Sequence, residues 1–545
     1  MVYRKSRRWL FVWLLPALLL LATIVGLGSY YETNDDTVLT LFLQGRMSAV
    51  PITSLHLYFH GVAAPLAYLY QQWPDVPWYG LLLYGLLYLA TALLFRVLYR
   101  LLRAWLRPGE TVLALALFFL VGWLEHAMWF NYMRVPLLLA AAGVWYAAAR
   151  PARNTALVVG IMAFGIAWLI RPSAAVLGLL LAVPGAWWLS GRRSWRVLAG
   201  AAALALVGAL AVSLTRSPTA ATFRRLDVLK SNLNDYQLLR PTPRTATDSL
   251  GVRAVQHWLL ADSTLVNEGL FERALPLDAT YFVQETVPAK LRETAQLLVQ
   301  NYFPLLVLLL LSWIWVARRA RHIGRREFVL VQVGFGVGLL LLAGILKLPP
   351  RLALPYLDAW VLANGVFMLK RAERLPRRPW PVVVGLVAVI GLYGYKTVHR
   401  RQVLYAEQRA NSHMLRSLAQ SATTLLVADG LETYYKSRSP FDATWPLSGR
   451  ILSLSGWQSL SPEQAALRAA HTGTRAVPDA LRYLATQKQG VQWVLTPAGA
   501  ELLNNQLEHT LSATQPAVQL RALAPDSSYL PNQPQPYVPD VQSVK

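Results

Sequence analysis

Long uncharged apolar runs alternate with short polar stretches along most of this chain. They cover residues 9–30, 78–102, 110–128, 132–149, 155–171, 173–190, 197–215, 298–317, 327–346, 351–369 and 380–396. Runs of roughly 18 or more apolar residues with few charges read as membrane-spanning helices. The pattern predicts an all-α polytopic membrane protein with about eleven transmembrane helices. No A-x-A-like cleavage site follows the first run, so it is expected to be retained as the first helix.

The pattern changes in three places. Residues 35–72 break into two short amphipathic stretches bounded by "AVPIT" and "WPDVP" and interrupted by Gly61 and Pro65. They predict two helices lying along the outer interface, with Trp73, Trp78 and Tyr79 at headgroup level. Residues 216–297 form a long polar loop with balanced acids and bases. From residue 397 the chain is polar, with short strand patterns in "TLLVADG", "RILSLSG", "VQWVLTP" and "VQLRALA". Helical patterns such as "PDALRYLATQ" and "GAELLNNQLEHTL" separate them. This predicts a small α/β domain. The expected organisation is a transmembrane domain over 1–396, with a first external loop at 31–77 and a large one at 216–297. A self-contained extracytoplasmic α/β domain follows over 397–545. Its Pro-rich end, from about 530, is expected to be disordered.

Charge fixes the orientation. The chain has 545 residues, 55% hydrophobic and 15% charged, with a formal net charge of +24. Such a charge suggests nucleic acid, but the basic residues sit in clusters between apolar runs, as in "YRKSRR", "GRRSWR", "RRARHIGRR" and "KRAERLPRR". That is the distribution of cytoplasmic loops. Starting inside and alternating puts each such loop inside, provided residues 35–72 do not cross an odd number of times. No nucleic-acid partner is expected; membrane lipids are. Cysteine is absent, which excludes disulfides and thiolate metal sites.

Glu32, Asp35 and Asp36 follow directly on the first run, in "YYETNDDTVLT". A helix cap explains one Asp, since Asp and Asn favour N-caps and the dipole favours negative charge there. It does not explain three acids so close together. One span, an acidic loop with two interfacial helices, six more spans and a large external loop resemble the GT-C superfamily of membrane glycosyltransferases. That superfamily includes the protein O-mannosyltransferases, the aminoarabinose transferases and the oligosaccharyltransferases. The resemblance covers roughly residues 1–370 and rests on architecture and the Asp35-Asp36 motif; the tract "QQWPDVPWYGLLLYGLLYL" adds to it.

The resemblance implies an inverting transfer of a sugar from a polyprenyl phosphate donor to an extracytoplasmic acceptor, which would be a lipid-linked glycan, a lipid or a protein. One of Asp35 and Asp36 would be the base, and the other would orient it or bind a divalent metal. No metal site is assigned. The chemistry is consistent: nucleotide sugars are cytoplasmic, so an outward-facing transferase needs a lipid-borne donor. No G-x-G-x-x-G after a strand and no Walker A is present. The setting implied is a bacterial inner membrane, with the site facing the periplasm.

Such a donor needs cations for its phosphate. Arg171 and Arg351, each beside a Pro at an outer helix end, are the leading candidates, with Lys347 and Arg46 behind them. Arg suits bidentate phosphate binding; snorkelling to headgroups is the competing explanation. Further candidates for substrate contact are Glu32, His56, His60, Glu125, His126, Arg224, Arg225, Asn234, Asp235 and Tyr236. For the last five, a solvated amphipathic helix is the simpler account, and His56 with His60 is more simply structural than metal-binding. Two other functions remain open. A transporter or flippase would show paired repeats and broken helices, which the sequence lacks. A non-enzymatic assembly protein would not need the acidic motif.

Overall fold

The computed structural model describes residues 10–319, 324–371, 380–419, 423–511, 516–523 and 532–542. The basic cluster at 3–8, parts of those at 318–326 and 370–378, and the last residues of the Pro-rich tail lie outside them. A π-turn at Leu10–Leu14 leads into α1 (Leu15–Leu27), followed by β1 (Tyr30–Tyr31), α2 (Asp35–Leu43) and α3 (Ala63–Gln72). Helix α4 (Trp78–Leu102) precedes α5 (Pro108–Phe118), which passes through a π-turn at Phe119–Trp123 into α6 (Leu124–Met128). After β2 (Trp129–Phe130) come α7 (Arg134–Ala148), α8 (Asn154–Ile170), α9 (Pro172–Ser190) and α10 (Trp195–Thr215). The large loop holds α11 (Pro218–Asn234), α12 (Ala246–Gln256), α13 (Glu268–Ala274) and α14 (Ala279–Tyr281). The bundle resumes with α15 (Val287–Arg319), α16 (Arg325–Gly344), α17 (Pro350–Arg371) and α18 (Trp380–Leu418). The end of the chain forms β3 (Leu425–Ala428), β4 (Arg450–Ser453), α19 (Pro462–Thr472), α20 (Val477–Thr486), β5 (Val491–Leu495), α21 (Pro497–His509), β6 (Ala517–Ala522) and β7 (Gln535–Gln542).

Every predicted run falls on one of these helices. Among the described residues, six helical stretches are long and apolar enough to cross a membrane, and three shorter apolar helices accompany them. The protein is thus a multi-pass, mainly helical membrane protein carrying a small terminal α/β unit. Small residues let the helices approach closely. A Cβ on Gly160 of α8 would stand 2.7 Å from the carbonyl oxygen of Gly143 on α7, and α7 is buried from end to end.

The turns after α1, α6, α8 and α16 all border one cavity. The alternate turns bring Arg100, Pro151, Arg193 and Lys370 around a separate pocket at the other ends of the helices. Helices α2 and α3 form where two interfacial helices were predicted. Apart from Asp35 and Thr40, the residues of α2 are buried. Tyr79, expected at headgroup level, is fully buried.

The terminal unit departs from expectation in three ways. Helix α18 runs unbroken past residue 396 to Leu418, because no Gly or Pro interrupts residues 395–418. The Pro-rich tail forms a strand where it is described: β7 lies between β5 and β6 in the sheet order β4-β3-β5-β7-β6. Proline cannot donate to a ladder, but Pro536 accepts a hydrogen bond from Leu523 N at 3.1 Å through its carbonyl. Finally, the unit is not self-contained. One apolar core joins Leu226, Val252, Val255 and Phe271 of the large loop to Val427, Leu452, Trp493 and Leu503 of the sheet and its helices. The large loop packs against the helices of the terminal unit and shares its core.

Candidate active site

The acidic loop is held by backbone pairing. Strands β1 and β2 pair in parallel, Tyr30 with Trp129 and Tyr31 with Phe130. Glu32 N then donates to Phe130 O at 2.7 Å. This aims the first turn of α2 at the cavity. The residue ahead of α2, Asn34, makes no side-chain cap, and neither Asp is spent on capping.

The two adjacent carboxylates have opposite surroundings. Asp36 is fully buried. It accepts from Tyr79 OH at 2.8 Å, Tyr132 N at 3.0 Å and Asn131 Nδ2 at 3.1 Å. Burial pushes its carboxyl well above the usual carboxylate range, against the pull of the Tyr79 and Tyr132 donors. Asp35 borders the cavity. It accepts from Trp457 Nε1 at 3.0 Å and from Thr33 Oγ1 at 3.4 Å. The position of Asp35 is therefore set partly by the terminal α/β unit.

The cavity has a volume of about 1090 Å³. Arg171, Arg351, Lys347 and Arg224 border it on the bundle and large-loop side. Arg171 lies between α8 and α9, its guanidinium 4.1 Å from the Tyr58 ring centroid and 6.0 Å from that of Tyr132. The Nε of Arg171 and the Nε of Arg351 are buried without a hydrogen-bond partner. Buried polar groups normally find partners, and among the described residues these two do not. Lys347 is 3.7 Å from Asp235, and Tyr236 and His60 complete this side. Burial, with Arg224 adding to it, pushes the His60 imidazole down to about 4, so the ring is neutral at ordinary pH.

The remaining candidates are not brought to the cavity. Arg46 donates to Leu447 O at 3.4 Å and joins a loop of the terminal unit. Glu32 pairs with the buried Arg134 at 2.7 Å. Glu125 is held by Arg400 at 2.8 Å and Lys396 at 3.1 Å, and His126 by Asp358 at 2.8 Å. Arg225 pairs with the exposed Glu268 at 2.7 Å. Asn234 donates to Val255 O at 2.7 Å. His56 pairs with Glu463 of α19 at 2.8 Å, so its ring does not share a ligand with His60. Among the described residues no group of three or more His, Asp or Glu could hold a metal.

Sequence reasoning missed the far wall. Asp429, Glu432, Ser455, Trp457 and Thr496 of the terminal unit border the cavity, with Trp258 of the large loop. The available signal was positional: "VADG", "LSG" and "LTP" close predicted strands, which the structure pairs in parallel, and ligands gather at such strand ends.

No protein-family model matches this chain, and no curated protein matches it. Among solved structures it is similar to the crystal structure of ArnT from Cupriavidus metallidurans bound to undecaprenyl phosphate. That similarity covers 97% of this chain and 98% of that chain, at 16% identity and a TM-score of 0.39.

Proposed function

We propose that this protein is a GT-C-type glycosyltransferase that moves a sugar from a polyprenyl phosphate to an acceptor on the outer side of a bacterial inner membrane. The observation that carries this is the placing around one cavity of an accessible carboxylate, Asp35, and two arginines whose buried Nε groups lack partners. A displacement at a phosphate-bound sugar needs those two elements. Asp35 takes the proton of the acceptor hydroxyl as its oxygen bonds to the anomeric carbon. The bond from that carbon to the phosphate oxygen breaks on the opposite face, and its electron pair leaves with the lipid phosphate. Attack and departure on opposite faces invert the sugar. Arg171 and Arg351 meet the charge that grows on the phosphate, with Lys347 in support. Asp36 does not touch substrate; its three donors anchor the first turn of α2 and so orient Asp35.

Two features support the orientation. Arg100, Arg193 and Lys370 gather at the end of the bundle away from the cavity, as positive-inside loops do. Leu341, Ile345 and Leu346, just ahead of Lys347, expose apolar side chains, a surface suited to a lipid tail beside a phosphate site. The test is transfer from a polyprenyl phosphate sugar by the purified full-length protein. Asp35→Asn should abolish it while folding and lipid phosphate binding persist. Full activity in Asp35→Asn would remove the proposal.

A further inference from the structure

The three parallel strands of the terminal sheet lie in the order β4-β3-β5. The chain leaves β3 for β4 on one side and returns to β5 on the other. Open parallel sheets bind ligands at such a reversal, outside the carboxyl ends of the strands. Here that crevice lies between Asp429, directly after β3, and Thr496, directly after β5. Both open on the same cavity as Asp35. Thr496 donates to Asp429 through its hydroxyl and, at 3.3 Å, through its backbone N. Ser455 and Gly456, just past β4, border the cavity too.

The chemistry here differs from that of the opposite wall. Arg171, Arg351 and Arg224 stand on the bundle and large-loop side, whereas the strand ends offer carboxyl, hydroxyl and amide groups, with Gln458 and Asn532 beside them. Two indoles border the same space, Trp258 and Trp457. Trp258 holds a left-handed backbone at φ +60°. A bulky residue adopts that conformation only where its surroundings impose it, and such strain concentrates at ligand sites. Its carbonyl accepts from Gly456 N at 2.9 Å, which ties it to the strand ends. Its ring lies 4.8 Å from Lys230 Nζ. Ring faces flanked by hydrogen-bonding groups of both senses match a sugar, with its apolar ring faces and hydroxyl rim. Two lysines also border the cavity, Lys436 of the terminal unit and Lys230, which is paired with Asp227 at 3.0 Å; the arginines stand across it.

We propose that the crevice between the ends of β3 and β5, walled by Trp258 and Trp457, binds an uncharged hydroxyl-rich sugar. On the transferase reading above, on which this part rests, that sugar is the acceptor. Trp457 borders the crevice and donates to Asp35. A sugar seated against this indole presents a hydroxyl to the base, while the donor phosphate lies across the cavity. Asp429 and Thr496 then hold hydroxyls of the acceptor.

Saturation-transfer NMR on the full-length protein in nanodiscs tests this, with glucose, galactose, mannose and N-acetylglucosamine as uncharged probes and glucosamine and glucuronate as charged ones. At least one uncharged sugar should give a signal stronger than either charged probe. Trp258→Ala should weaken that signal by about tenfold, the scale of a lost aromatic platform. Asp429→Asn should weaken it too. Binding of undecaprenyl phosphate, measured on the same preparations, should be unchanged and serves as the control for folding. Asp35→Asn should keep the sugar signal while losing transfer, which separates this proposal from the transferase reading. No signal from any uncharged sugar, a stronger one from a charged probe, or signals that survive both Trp258→Ala and Asp429→Asn would overturn it.

Discussion

Two groups of ionisable residues lie near the same end of the bundle, and they behave in opposite ways. One is closed. Glu125 is fully buried between Arg400 and Lys396, Glu32 is held by Arg134, and His126 by Asp358. Lys396 also donates to the carbonyl of Asn301, and Arg400 to its side chain, next to the non-helical Tyr302 where α15 bends ahead of Pro304. These charges tie α6, α7, α15 and α18 together. The other group is open: Asp35, Arg171 and Arg351 share a cavity and leave Nε donors unpaired. In sequence both groups are charges at the edges of apolar runs. The difference is whether the partners are supplied by the chain or left for a ligand. The paired group is accounted for by the packing of the bundle, whereas the unpaired donors of the open group are not.

The largest effect should come from breaking the open group. Asp35→Asn keeps size and removes the proton acceptor. Transfer should fall by about 100- to 10,000-fold, the usual range for a general base, with the thermal midpoint unchanged. In the closed group the outcome should reverse. Glu125→Gln leaves Arg400 and Lys396 facing each other without their carboxylate. Stability should drop by about 3–5 kcal/mol, as when a buried pair loses one member. Denaturation in detergent measures it. A stable Glu125→Gln protein with lost transfer would move Glu125 from the closed group to the open one.

Glu432 is a further buried carboxyl, and among the described residues no ion pair holds it. Glu432 accepts from Ser453 Oγ at 3.2 Å and from Ser455 and Gln458. Burial pushes its pKa up to about 7, from an ordinary 4.5. A carboxyl that holds its proton more tightly when folded stabilises the fold at low pH. That contribution is fully present below about 4.5, falls as pH rises, and is lost above about 7. Glu432→Gln should abolish this slope. Its thermal midpoint should match the native protein at pH 4 and exceed it at pH 8. Equal midpoints at both would place a counter-charge near Glu432.

How much of this was legible in the sequence follows from the range of the interactions. Each span declares itself within its own window of residues, and so did Asp35-Asp36, since their place follows from counting spans. The split between the two carboxylates was not legible. It depends on Tyr79, Asn131 and Tyr132, which reach Asp36 only through the fold. The tail misled for a related reason. "PNQPQPYVPDVQ" has the composition of a disordered segment, and β7 exists only because β5 and β6 stand on either side of it. The shared core of the large loop and the terminal unit escaped likewise, as Val255 and Trp493 join one cluster only through the fold. Arg171 and Arg351, which both border the cavity, were legible as candidates because a cation at a helix end expected to face outward runs against the charge bias of the membrane.

The smallest expected effect concerns the contact through which the terminal unit enters the open group. Trp457 Nε1 donates to Asp35 at 3.0 Å, while its ring packs against Tyr58 at 5.6 Å and Phe42 at 6.1 Å. Trp457→Phe keeps the ring packing and loses only the donor. The carboxylate stays in place through α2 and the donors on Asp36, but it is free to rotate. A hydrogen bond to a charged group is worth about 1.5–3 kcal/mol when its loss is not compensated. Asp35 borders a cavity large enough for water, which would recover part of this. Transfer should therefore fall by about tenfold, near the lower bound of that range, with the thermal midpoint and undecaprenyl phosphate binding unchanged. A loss as deep as that of Asp35→Asn would mean that the indole itself touches the reacting groups. No loss at all would mean that the bundle alone positions the base, and that the terminal unit meets the open group without helping to build it.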